Sequence, residues 1–211
     1  LAEPFRREKA TLWFVNSMSD LFHRAVPFEF IAAVFGAMAL TPQHQYQVLT
    51  KRPEQMQAFF GWLDSMDSDP MTVCLAYLEK LWETGTSPPR LFASREWPLP
   101  NVWLGTSVED DRAYERIDQL RSVPAQVRFL SCEPLIGPLD LSSQLDGIHW
   151  TIVGGESGPG ARPMKAEWAE AIQDACKSAG VAYFFKQTGN VLAREWGLGS
   201  KKGSDASEWP R

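Results

Sequence analysis

The stretch Ile148 to Pro163, IHWTIVGGESGPGARP, constrains the fold more than any other part of this chain. Trp150, Thr151, Ile152 and Val153 are apolar or β-branched with no polar alternation, the pattern of a parallel strand covered on both faces. The character then changes. Gly154 and Gly155 remove side chains where the strand ends, which would let backbone N–H groups approach a ligand. Glu156, Ser157 and Arg162 surround a Gly158-Pro159-Gly160 turn with charge and hydrogen-bonding capacity. In parallel α/β proteins ligands sit beyond the carboxyl ends of the strands, where this loop falls.

Five other segments repeat the plan. Strands are predicted at Leu12 to Val15, Tyr46 to Leu49, Val102 to Thr106, Val127 to Leu130 and Val181 to Phe185, each closing on polar residues. Between them run helical stripes. Phe28, Ile31, Ala32 and Phe35 follow Pro27; Met56, Phe59, Phe60 and Leu63 follow Pro53; Ala113, Ile117 and Leu120 follow the acids Glu109 and Asp110. A helix from Pro70, capped by Asp69, carries Val73, Tyr77, Leu78 and Leu81 and stops by Gly85; another spans Ala166 to Ala179, with Trp168, Ile172, Ala175 and Cys176 inward and Gly180 as its end.

Two successive helices without an intervening strand predict a helical insertion at about 53–100, whose proline-rich part from Thr86 to Pro100 reads as irregular surface. The run after Pro134 is too broken by Gly137 and Pro138 for more than a one-turn helix, and residues 190–211 show no period and are left as a tail. The expected fold is α/β, a parallel TIM-like (β/α) barrel over residues 1–189, incomplete at six visible strands. An open doubly wound sheet is the alternative. A dinucleotide fold would want GxGxxG after an early strand, and GGESG lacks that spacing; P-loop, GxSxG, HExxH and CxxC motifs are absent as well.

A chain of 211 residues that is 44% hydrophobic can bury one good core, so one domain is the default expectation. Its net charge of −5 argues against a broad basic face for duplex nucleic acid, although a local basic groove remains compatible with it. With no apolar run of about 18 residues and no signal peptide, the chain reads as soluble and cytoplasmic, without membrane partners. Starting at Leu1 rather than Met suggests a fragment or a processed start. Cys74, Cys132 and Cys176 match neither a disulfide framework nor a metal motif and read as buried thiols in a reducing compartment; no metal site is predicted.

The strand ends supply the candidate site. Asp20 and His23, three apart after the first strand, would share a helical face, so the carboxylate could orient the imidazole for proton transfer; equally, Asp20 would cap a turn while His23 packs. With Glu133 they are the catalytic candidates. Asn16, Ser17, Lys51, Arg52, Ser107, Glu109, Ser131, Gly154, Gly155, Glu156, Ser157, Arg162, Lys186 and Gln187 are the ligand-binding candidates. Such a mixed-sign ring suits a zwitterionic or phosphate-bearing ligand, and it would serve equally as mutual salt bridges. The decapeptide NVWLGTSVED also aligns with TLWFVNSMSD, matching Trp103 to Trp13, Ser107 to Ser17 and Asp110 to Asp20, as a repeated βα unit would.

At these ends the sequence resembles a bacterial and phage-associated family of uncharacterised proteins. The matching stretches are FVNSMSDLFH, VLTKRP, NVWLGTSVED, RFLSCEPLIGPLDL, IVGGESGPGARPM and FFKQTG. Members typically carry an upstream three-cysteine segment, which implies a relationship to radical S-adenosylmethionine enzymes, where three thiolates hold a [4Fe–4S] cluster. This chain begins after that segment and is not expected to hold either cofactor on its own. Gly154-Gly155-Glu156 is similar to the GGE element that meets the cosubstrate's amino group in those enzymes, although there it follows an early strand and here the fifth.

The leading expectation is therefore the truncated barrel of a radical S-adenosylmethionine-like enzyme, with Lys51, Arg52 or Arg162 on a carboxylate and Glu156 on an amine. The alternatives are a non-redox hydrolase or lyase acting on a phosphorylated or nucleotide substrate through Asp20, His23 and Glu133, and a phage-borne binding module without catalysis. Substrate and oligomeric state stay open at this point.

Overall fold

A computed structural model of the chain describes residues 1–16, 18–82 and 96–209. They form an α/β fold of six parallel strands and six α-helices: β1 Leu12–Val15, α1 Phe28–Ala39, β2 Gln45–Thr50, α2 Pro53–Asp64, α3 Pro70–Leu81, β3 Val102–Ser107, α4 Glu115–Arg121, β4 Val127–Cys132, β5 Trp150–Gly154, α5 Ala166–Ala179, β6 Ala182–Gln187 and α6 Gly189–Glu195. By contacts the chain divides into two compact units, residues 1–105 with 122–127, and residues 106–121 with 128–211. Within each unit the strands neighbour one another in chain order, with none of the reversal that a doubly wound sheet requires.

In the first unit β1 pairs with β2 in parallel register, Leu12 opposite Gln45 and Val15 opposite Val48. The stripes predicted for α1 and α2 are the core except at Phe28, which is half-buried: Ile31, Ala32, Phe35, Met56, Phe59, Phe60 and Leu63 are all buried. Phe59 is its hub, with Phe60, Phe35 and Phe22 rings at 5.1, 5.5 and 6.1 Å. Asp69 caps α3 by accepting the Met71 and Thr72 N–H groups. Helices α1 and α3 approach closely at Gly36, where a Cβ would stand 2.5 Å from the Cys74 carbonyl oxygen. The predicted stop of α3 at Gly85, and most of the irregular stretch from Thr86, lie outside the described residues.

In the second unit β4 pairs with β5 and β5 with β6, all parallel. Thr151, Ile152, Val153 and Gly154 are buried, as a strand covered on both faces must be. Helix α5 has the predicted bounds and ends on Gly180 at φ +69°, with Ile172 and Cys176 buried. One expectation needs correcting. The helix foreseen from Glu109 starts later, because Asp110 caps a 3-10 turn at Asp111–Ala113 before α4 begins. The tail, unassigned from its pattern, carries structure that begins with α6: Leu192 and Ala193 pack inward, and Thr188 N–H donates to Gly203 O at 3.1 Å. A seven-residue helix followed by glycine-rich chain has too few turns to show a period. No helix among the described residues is long and apolar enough to cross a membrane.

Candidate functional site

In the first unit the end of β2 meets the loop after β1. The Asp20 carboxylate accepts the Thr50 hydroxyl at 2.7 Å, the Arg52 guanidinium at 2.9 Å, and the Phe22 and Lys51 N–H groups at 3.0 and 3.2 Å. Two donors on each oxygen use the acceptor capacity of a carboxylate. Asp20, 14% exposed, is thus a clamp between two loops. His23 turns elsewhere: its Nδ1 accepts the Ala25 N–H at 3.2 Å, and the ring is exposed. The carboxylate and imidazole share a turn without orienting each other. Asn16 donates to Ser19 Oγ at 2.8 Å, and Ser17 lies outside the described residues.

In the second unit several strand ends come together. Glu133 follows β4 and Lys186 lies on β6, with β5 between them, and their side chains meet at 2.8 Å. Gly154 makes this contact feasible, since a Cβ there would lie 3.2 Å from Glu133 Oε1 and 3.3 Å from Gln187 Cγ. At Gly155 a Cβ would overlap the Thr188 carbonyl. The Gly155 N–H donates to Gln187 O at 3.0 Å, and its carbonyl accepts Gln187 Nε2 at 2.9 Å. The sequence suggested that these glycines bare N–H groups for a ligand. Instead they admit a side chain and a neighbouring loop, and the Gly155 N–H is engaged by β6.

Glu156 closes its own loop. Arg162 donates to it through Nε and Nη2, both at 2.8 Å, and through its backbone N–H at 2.8 Å, while Gly158 and Gly160 turn the chain at φ +105° and +75°. The hydrogen-bonded Glu156 carboxylate raises the Arg162 guanidinium above its ordinary value, and Glu109 and Asp110 add to this. The loops after β3 and β5 are therefore within electrostatic reach. Glu109 pairs with Arg116 at 2.9 Å, and Arg116 also donates to Ser107 O. Asp110 accepts the Arg112 N–H at 3.1 Å, as Asp20 accepts that of Phe22, so the aligned aspartates make the same local turn. Ser107 and Ser131 are buried in their strands, where the Ser131 carbonyl accepts the Val108 N–H, and Ser157 is exposed.

The sequence reading missed Thr50, one of the four donors on Asp20, and Arg116, which pairs with Glu109. Arg116 stands on α4 and Glu109 precedes the 3-10 turn, so helical spacing offered no signal for this pair.

The cysteines do not fit an iron–sulfur centre. All three are buried on separate elements, Cys74 on α3, Cys132 on β4 and Cys176 on α5, whereas a cluster needs three thiolates at one place. No group of metal-ligating side chains occurs among the described residues.

Fold and site together define an α/β protein of parallel strands whose polar ends are tied in carboxylate–cation pairs. Residues 1–207 match the family described as protein of unknown function (DUF5131), and the chain belongs to it. No curated protein and no solved structure matches the chain.

Proposed function

We propose that this protein is a cytoplasmic, TIM-like barrel enzyme related to the radical S-adenosylmethionine enzymes, as its resemblance to a phage-associated family implies. Its strand-end site in the second unit would bind a small zwitterion of the S-adenosylmethionine class. The observation that carries this reading is the Glu133–Lys186 pair over the end of β5, with side chains 20% and 50% exposed. An ion pair open to solvent at a strand end can exchange partners: an incoming ammonium takes the glutamate and an incoming carboxylate takes the lysine. Glu156 and Arg162 offer the same exchange one loop away. This chain's own cysteines do not fit a cluster, so no redox step is derived from them.

Calorimetric titration with S-adenosylmethionine tests the proposal. Saturable binding is expected, weakened about tenfold or more in Glu133→Gln. An absence of saturable binding, or equal affinity in the variant, refutes it. Binding by S-adenosylhomocysteine alone would instead favour the binding-module reading over an enzyme that uses the cosubstrate.

A further inference from the structure

The Gly158-Pro159-Gly160 turn has a second face that none of the candidate residues uses. A recess of about 620 Å³ is lined there by Gly158, Pro159, Ala161, Val191, Arg194 and Lys201. Asn190 stands at its edge, and a smaller recess of about 320 Å³ continues from it past Leu198 and Ser200, sharing Arg194 and Lys201. We propose that this recess is an anion subsite that takes the phosphate of a nucleotide-sized ligand. The proposal is independent of the strand-end reading above.

Charge is the first argument. The chain has 26 acidic against 21 basic residues, and its arginines at 52, 112, 116, 121 and 162 all sit on carboxylates. Arg194 and Lys201 both face the recess, and no carboxylate among the described residues lies within ion-pair distance of either. Of the carboxylates close to them along the chain, Glu195 and Asp205 pair with neither cation; Asp205 accepts the Ser207 N–H at 3.0 Å and Glu208 the Ser200 N–H at 3.1 Å. Two adjoining unpaired cations in an acidic protein repel each other and are relieved by an anion between them.

Construction is the second argument. With its amide satisfied at both ends, Asn190 donates to Lys201 O at 3.1 Å and accepts the Gly158 N–H at 3.3 Å, so one side chain latches both walls. Its backbone N–H donates to Glu156 O at 2.9 Å. Behind it, Gly189 N–H donates to Lys202 O at 3.0 Å, and Gly203, at φ +60°, lies against the Thr188 side chain where any Cβ would overlap. The cations thus stand on a braced frame rather than on loose chain. Pro159, Ala161 and Val191 supply the apolar wall that a base or sugar would cover. A phosphate prefers this arrangement to a simple carboxylate because it engages both an arginine fork and a lysine point charge.

The test uses the full chain with two probes, AMP followed by calorimetry and fluorescein-labelled dT12 followed by anisotropy. Saturable binding of at least one probe is expected, weakening with salt and falling about tenfold or more in Arg194→Gln/Lys201→Gln. Both side chains are exposed, so the variant is expected to keep the far-UV circular dichroism of the parent. Binding of AMP identifies a free nucleotide as the source of the phosphate, and binding of dT12 alone identifies a nucleic-acid backbone. Glu170→Gln, an exposed substitution on α5, should leave either affinity unchanged. No binding of either probe, or equal affinity in the double variant, overturns the proposal.

Discussion

Lys186 Nζ reaches Glu133 Oε2 at 2.8 Å across the glycine that ends β5. The two residues are 53 apart in sequence, one just after β4 and the other on β6, and they meet where β5 ends between them in a residue without a side chain. A double-mutant cycle of Glu133→Gln and Lys186→Gln should give a coupling of about 0.2–1 kcal/mol, the range of half-exposed pairs, and it should shrink in high salt. In a Gly154→Val background the same cycle should return nothing. A coupling that survives there would show that the glycine does not gate the pair.

Asp20 is saturated by four donors, and its removal leaves them facing a partly buried gap. Asp20→Ala should destabilise the protein to urea by about 1–3 kcal/mol, and Asp20→Asn by less, since an amide oxygen still accepts. His23→Ala, at an exposed position, should be close to neutral. Urea midpoints of the three variants decide the order.

At Gly36 the restriction is steric. A methyl group there would press on the α3 backbone at Cys74, so Gly36→Ala should cost about 1–3 kcal/mol despite alanine's better helix propensity. Gly61, on α2 with open space around it, is the control: Gly61→Ala should stabilise by up to about 1 kcal/mol. Thermal midpoints moving the same way in both variants would contradict the packing described for α1 and α3.

Burial of Cys74 and Tyr46 raises both groups from ordinary values of 9.0 and 10.0 to about 12. Each holds its proton more firmly in the folded than in the unfolded chain. Their contribution to stability is therefore intact below pH 9 and is lost as pH rises from there toward 12. Urea midpoints should be flat in this respect up to pH 9 and fall above it, less steeply in Cys74→Ala. Native protein should also resist a thiol reagent at pH 8 and yield three equivalents after unfolding. Rapid native labelling would place a thiol at the surface.

Much of the architecture was legible in one dimension. Strand β1 and helix α5 have the bounds read from their patterns, and the Phe59 and Ile172 stripes point inward as their spacing requires. Burial repeats along a helix or strand, and a repeating signal survives in a linear string. Polar pairing does not repeat. Asp20 looked like a candidate for chemistry or for capping, and it makes its turn while gripping Arg52, a contact that depends on where a second loop arrives.

By itself the sequence determined the alternation of strands and helices, the inward stripes and the crowding of polar residues at strand ends, because these follow from local backbone preference and hydrophobic period. Tertiary structure alone decided which charge answers which: that Glu133 takes Lys186, that Glu156 takes Arg162, that Gly155 gives its N–H to β6, and that Arg194 and Lys201 share a recess without a carboxylate. A charged side chain pairs with whatever the folded chain brings within a few ångströms, and that distance is not written in residue spacing.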